Sequence, residues 1–233
     1  MSVPRPRPRA YLLLARVSNL PTVWTNVLAG TIVSGAAFSR PPVTRVAVAV
    51  SLLYTAGMFL NDAFDRTFDS RFRPDRPIPA GDVSSGEAFV CGWALLLGGV
   101  AAMAGQPGAA VVWALLLAGA IVYYDYRHKR DPFGPVVMGI CRGLVYCVAA
   151  AAAATVTTPV VVAAVILTTY VVALTWVAKR VGQRAGWLIP VLIAGISIVD
   201  AAVIAVSGAP RLAGFALLGF VLTLLLQRVV PGT

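Results

Sequence analysis

Charge is scarce in this sequence, and acidic charge scarcest: of 233 residues 12% are charged, and only nine are carboxylates. A soluble domain carries about 25% charged residues. With 59% hydrophobic residues and a mean hydropathy of +0.83, an ordinary water-soluble fold is excluded. Cysteine and histidine are too few for a disulfide framework or a thiolate metal centre. Cys91, Cys141 and Cys147 are odd in number, lie in apolar runs and lack ligand spacing, so they read as small core residues. The lone His128 lies in a basic loop and reads as a solvated side chain. Period-two alternation is also missing, which argues against a membrane barrel and leaves helices as the structure that satisfies its own backbone in lipid.

What is present is a series of long apolar runs. A spanning helix needs about 20 such residues, and runs fall near 11–37, 43–61, 86–105, 109–126, 133–155, 159–178, 186–207 and 210–228. Turn-forming punctuation separates them at Arg40-Pro41-Pro42, Gln106-Pro107-Gly108, Thr157-Thr158-Pro159 and Gly208-Ala209-Pro210. The expected fold is all-α: a polytopic membrane bundle of about eight transmembrane helices, one domain over 1–233, with no room for a separate soluble domain. The first run follows Arg5, Arg7 and Arg9 as a signal peptide would, but Arg16, Asn19, Pro21 and Asn26 interrupt it and it is too long, so it reads as a retained helix.

The net charge of +10 does not point to nucleic acid, because the basic residues form short clusters between apolar runs without interleaved aromatics. They fit a topology rule instead. On one side of the eight runs lie Arg5, Arg7, Arg9, Arg16, Arg66, Arg71, Arg73, Arg76, Arg127, Lys129, Arg130, Lys179, Arg180, Arg184 and Arg228, which is 15 of 19. The other side holds Arg40, Arg45 and Arg211, and Arg142 falls within a run. Positive charge accumulates on the cytoplasmic side, so both termini are expected there, in a multi-pass protein of the cell membrane.

Five of the nine carboxylates fall between positions 62 and 82. Asn61, Asp62, Asp65 and Asp69 follow the second run directly, and a continued helix sets 62, 65 and 69 on one face. Clustered carboxylates repel unless a cation lies between them, and oxygen-only ligands suit a hard ion such as Mg²⁺. Arg71, Arg73 and Arg76 add planar donors matched to phosphate oxygens. A solvated loop with self-paired charges is the plain alternative, but carboxylates spaced at the end of a span favour a metal-diphosphate site.

The pattern Asn61-Asp62-x-x-Asp65-x-x-x-Asp69, then Arg73-x-x-Arg76-Pro-x-Pro-x-Gly81, resembles the first aspartate-rich motif of the UbiA superfamily of intramembrane prenyltransferases. Arg16-x-x-Asn19-x-Pro21 resembles that family's opening helix, and Tyr124-x-x-x-x-Lys129 lies where a Tyr/Lys motif closes the fourth span. The resemblance implies a helical bundle around a central cavity, capped by the loops after the second, fourth and sixth spans. It implies Mg²⁺ held by Asn61, Asp62, Asp65 and Asp69, diphosphate contacts from Arg73, Arg76 and Lys129, and a tyrosine role that Tyr124 or Tyr126 could fill, with Tyr124 preferred. Asp65, Lys129 and Tyr124 are the expected catalytic residues. The partners implied are an isoprenyl diphosphate, a hydrophobic acceptor and the lipid bilayer.

One departure is plain. The family's second aspartate-rich motif follows the sixth span, where this chain reads Trp176-Val-Ala-Lys179-Arg180-Val-Gly-Gln183-Arg184, with no carboxylate between Asp131 and Asp200, and a ninth span is missing. This resembles a divergent branch of the family. Fixed cations at Lys179, Arg180 or Arg184 could replace the second ion. Arg142, inside the fifth run, reads as a cavity-facing diphosphate contact or as a structural partner of Asp131 or a backbone carbonyl. Asp200 lies mid-run, neutral, paired or part of an acceptor site, and Asp125 suits an i, i+4 ion pair with Lys129. The expected activity is magnesium-dependent transfer of a prenyl group to an aromatic or lipid-like acceptor. An intramembrane terpene cyclase and a non-catalytic prenyl-lipid binding or transport protein are the alternatives.

Overall fold

The computed structural model describes residues 7–36, 40–127, 131–181 and 186–232, without the side chains of 40–42. Among the described residues every regular element is a helix: α1 (Arg7–Ala15), a 3-10 turn (Val17–Asn19), α2 (Leu20–Val33), α3 (Arg40–Phe64), α4 (Arg66–Phe72), α5 (Ser85–Ala101), α6 (Gly108–Arg127), α7 (Gly134–Ala153), α8 (Thr158–Val181), α9 (Leu188–Ala194), α10 (Ile196–Val206) and α11 (Pro210–Gln227). Six stretches are long and apolar enough to cross a membrane, with α9 and α10 counted together as Leu188–Val206. The apolar α5 is shorter, and the first expected span consists of α1 and α2 with a turn between them. All eight apolar runs of the sequence are therefore helical, two of them in pieces.

Both breaks have local causes. Arg16 adopts a left-handed backbone (φ 44°), a conformation costly for a residue with a Cβ, and the chain turns there before Pro21 starts α2 near its N-terminus. At Gly195, between α9 and α10, the Tyr170 hydroxyl donates to the Leu192 carbonyl at 2.8 Å. A Cβ on Gly195 would crowd that hydroxyl and push it off its bond to Leu192. Elsewhere the ends are set by ordinary capping. Ser84 and Glu87 form a reciprocal capping box at the start of α5, and Pro135 and Pro210 stand in the first turns of α7 and α11.

Small residues let the helices close on one another, as in lipid, where apolar surface alone gives no drive to associate. Gly139 and Gly143 bring α7 against α8: a Cβ at 139 would lie 2.7 Å from the Thr168 carbonyl oxygen. Gly30 lies equally close to the backbone of Tyr146 on α7. The interior between these helices holds Val27, Leu53, Leu117 and Val148 in one cluster, and Tyr146, Leu167 and Ile204 in a second. Outward-facing positions such as Val90, Leu97, Leu116, Val162 and Leu218 are apolar and exposed. A surface of that kind is stable against lipid tails, and the chain is a multi-pass membrane protein. The three cysteines are unbonded, Cys147 buried and the other two half-buried.

Candidate active site

Helix α3 runs into α4 almost without interruption, since the Asp65 amide bonds the Asn61 carbonyl and the Asp69 amide bonds the Asp65 carbonyl, both at 2.9 Å. The near-continuous helix keeps the four polar side chains of the first motif on one inward face. Asn61, Asp62, Asp65 and Asp69 are exposed by only 8, 5, 5 and 1%. Three buried carboxylates on one stripe repel strongly unless neutralised.

Two guanidinium groups provide part of that neutralisation. Arg76 Nη1 donates to Asp62 Oδ1 at 3.0 Å and to Asp69 Oδ2 at 2.9 Å, and Arg16 Nη2 donates to the same Asp62 Oδ1 at 2.7 Å. Arg73 stands 4.0 Å from Asp69 Oδ1 with its side chain half exposed. The loop after α4 is fixed for this purpose: Val83 is buried, Ile78 packs beneath it, and Gly81 supplies a left-handed turn (φ 80°). Burial lowers the pKa of Arg76, the nearby charge of Arg16 adds to that, and Asp62 and Asp69 oppose it.

A further carboxylate belongs to the same cluster. Asp125, near the end of α6, is 3% exposed and accepts from Asn61 Nδ2 at 3.3 Å. Its other oxygen, Oδ2, is buried with no hydrogen-bond partner among the described residues. Asp62, Asp65 and Arg16 lie within electrostatic reach of it. The donors gathered here are all oxygens, and an orphaned carboxylate oxygen among them fits a hard divalent cation. Among the described residues no three His, Cys, Asp or Glu side chains stand in ready-made ligand geometry, in keeping with the guanidinium groups that hold Asp62 and Asp69.

Below the cluster opens a cavity of about 190 Å³. Arg16, Tyr124 and Asp125 stand in its wall, as do Tyr54, Met58 and Arg142, with Val50, Leu117, Ile121 and Val145 supplying apolar surface. Of the two candidate tyrosines, Tyr124 faces this cavity, whereas Tyr126 is exposed and stands edge-on to Phe64. The arrangement can bind an anionic head at the polar end and an apolar tail below it.

The remaining candidates lie elsewhere or have other partners. Lys179 and Arg180 are exposed at the end of α8, where Arg180 stacks over Trp176 at 5.4 Å, apart from the carboxylates. Arg142 bonds Asn26, not Asp131, and Asp131 instead accepts from the Tyr123 hydroxyl and the Phe133 amide. Lys129, like His128 and Arg184, lies outside the described residues. Sequence reasoning passed over Arg16, Asp125 and Tyr54 as site residues. The stripe 54, 58, 61 on α3, continued at 65, was the available signal for Tyr54.

Residues 20–230 match the UbiA prenyltransferase family. The chain belongs to that family. UbiA-family relatives include digeranylgeranylglyceryl phosphate synthases from Halobacterium salinarum, 35% identical over 144 residues (61% of this chain, 52% of the relative), and from Methanoculleus marisnigri, 31% identical over 138 residues (59% and 49%). The chain thus spans about half the length of these curated relatives. Among solved structures, a digeranylgeranylglyceryl phosphate synthase superposes with a TM-score of 0.62 at 19% identity, covering 94% of this chain and 96% of that one. A UbiA homologue from Aeropyrum pernix K1 gives 0.59 at 17%, covering 93% and 95%. The all-helical bundle is therefore the fold of this family.

Proposed function

We propose that this chain is a divalent-cation-dependent intramembrane prenyltransferase that ionises an isoprenyl diphosphate and transfers its prenyl group to a hydrophobic acceptor. The observation that carries the reading is the burial of four motif side chains, with Arg16 and Arg76 on them, joined through Arg16 and Asp125 to the wall of an apolar cavity. The relatives named digeranylgeranylglyceryl phosphate synthase support it and favour a glyceryl-lipid acceptor over an aromatic one.

Asn61, Asp62, Asp65 and Asp69 would hold Mg²⁺, with Asp125 offering a further oxygen. When bound, the ion neutralises the charge that builds on the departing diphosphate. Arg73 and Arg76 bind and orient the diphosphate oxygens, and Lys129, with Lys179 and Arg180 in the last turn of α8, adds positive charge. Lys179 and Arg180 stand where the second aspartate motif would lie and offer fixed positive charge in its place. The apolar wall holds the prenyl tail and excludes water from the allylic centre, and Tyr124 lines the path between head and tail. The carboxylate end faces the cytoplasm in the cell membrane, as the arginine-rich loops on that side require.

The test is diphosphate release from geranylgeranyl diphosphate by membranes containing the protein. Release should require Mg²⁺, stop on chelation and resume on readdition. Asp65→Ala should lower it by about 100-fold or more, as loss of a main electrostatic contributor does. Undiminished release by Asp65→Ala overturns the assignment.

A further inference from the structure

One stretch of the cavity wall is not α-helix. Arg16 and Asn19, in the turn between α1 and α2, and Gly232, beyond the end of α11, line it, and every other lining residue stands on an α-helix. A single side chain clasps the two pieces together. Asn19 Nδ2 donates to the Gly232 carbonyl at 3.1 Å, and Asn19 Oδ1 accepts from Gln227 Nε2 at 2.9 Å. The fit is close, since a Cβ on Gly232 would collide with the Asn19 amide oxygen. Val230 and Gly232 are buried, so residues 228–232 form a strap against the bundle.

The seams of α2 and α8 with α7 close on glycine, whereas the strap closes on amides and leaves oxygens over. Ser18 Oγ, fully buried within the turn, and Gln227 Oε1 have no hydrogen-bond partner among the described residues. A buried polar atom without a partner costs free energy that contact with water restores. This stretch of wall therefore parts at less cost than a helix seam. It also has reason to part: about 150 Å³ suffices for a molecule the size of benzene, and a prenyl chain of several units outgrows 190 Å³.

The clasp is tied to the carboxylates. The Asn19 amide donates to the Arg16 carbonyl at 3.0 Å, so the turn moves as a unit. One end grips Asp62 through Arg16 Nη2 at 2.7 Å, and the other grips the strap. Arg16 holds a left-handed backbone at a steric cost, which its buried ion pair offsets. A divalent cation on Asp62 repels that guanidinium, and diphosphate oxygens draw it away. Once the ion pair is lost, the strained backbone favours relaxation of the turn. We propose that the turn from Arg16 to Asn19 is a switch: it holds the strap shut while the carboxylate cluster is empty and releases it when cation and diphosphate take Arg16 off Asp62. The inference rests on the prenyltransferase reading for its ligands. Asn19 is then a positioning residue that acts through the strap.

Spin labels at Leu12→Cys and Val229→Cys, both exposed positions, report the separation across the strap by pulsed electron resonance in a protein freed of its native cysteines. The metal-free parent should give one short distance, and Mg²⁺ with inorganic diphosphate should shift it to longer values. Arg16→Gln should give the longer distance without any ligand. So should Asn19→Ala and Gly232→Ala, the latter leaving the turn itself intact. Both of these should keep the thermal stabilisation by Mg²⁺ and diphosphate, because the carboxylates are untouched. An unchanged distance under additions that do stabilise the parent overturns the switch, as does an Arg16→Gln protein that stays short until ligand arrives. Absence of any stabilisation of the parent sinks the site reading separately, because the metal-free comparison with Arg16→Gln needs no ligand.

Discussion

Asp62 takes two guanidinium groups on one oxygen, and Arg76 returns the favour by joining Asp62 to Asp69. Removing one partner of a buried ion pair leaves an uncompensated charge, which costs about 3 kcal/mol or more. Arg76→Ala should accordingly lower the melting temperature in metal-free detergent by several degrees. Millimolar Mg²⁺ should restore much of the loss, because a cation in the cluster replaces the missing charge. Thermal denaturation with and without the ion checks this, and a loss that Mg²⁺ leaves untouched counts against a cation site. At this scale the sequence was informative where spacing alone decides position: residues 61, 62, 65 and 69 lie on one stripe of the nearly continuous α3 and α4. It was uninformative where another helix decides. Asp125 reads as an i, i+4 partner of Lys129, yet packing turns it inward to Asn61 on α3. No local pattern carries the bond between Arg142 and Asn26, which are 116 positions apart.

The helices themselves were legible from continuous hydropathy, and their breaks were not. Hydropathy reports what can lie in lipid, and Arg16 and Gly195 interrupt helices for reasons of contact: an ion pair to Asp62 and the entry of the Tyr170 hydroxyl. The seam between α7 and α8 is an exacting helix contact. Gly139→Ala sets a methyl group 2.7 Å from a backbone carbonyl that cannot move aside as a flexible side chain would. Overpacking of this kind costs about 1–3 kcal/mol. The expected result is a lower melting temperature, read by thermal denaturation. An unchanged melting temperature would mean that the two helices do not pack as closely as described.

For the whole molecule, the bundle alternates direction from run to run, so the carboxylate cluster and the ends of α6 and α8 share one side of the membrane. The cytoplasmic assignment of that side predicts that cysteines introduced by Ser85→Cys and Arg228→Cys, in a protein freed of its native cysteines, react with an impermeant maleimide only in opened cells. Gly105→Cys and Ser207→Cys should react in intact cells. The reverse pattern would invert the topology and deny cytoplasmic substrates access to the cluster. Overall architecture was legible because lipid restricts the choice to helices. The cavity was expected only through the family resemblance, since its lining comes from how α2, α3, α6, α7, α8 and the α9–α10 pair tilt and break around it.

The left-handed backbone at Arg16 separates two duties that one residue performs. Glycine adopts that turn at no steric cost but brings no guanidinium, whereas lysine keeps a charge while retaining the strained φ. Arg16→Gly should therefore preserve the turn between α1 and α2 and abolish the hold on Asp62, and Arg16→Lys should do the opposite in part. Comparing the two tells whether the first segment serves the carboxylates through its shape or through its charge.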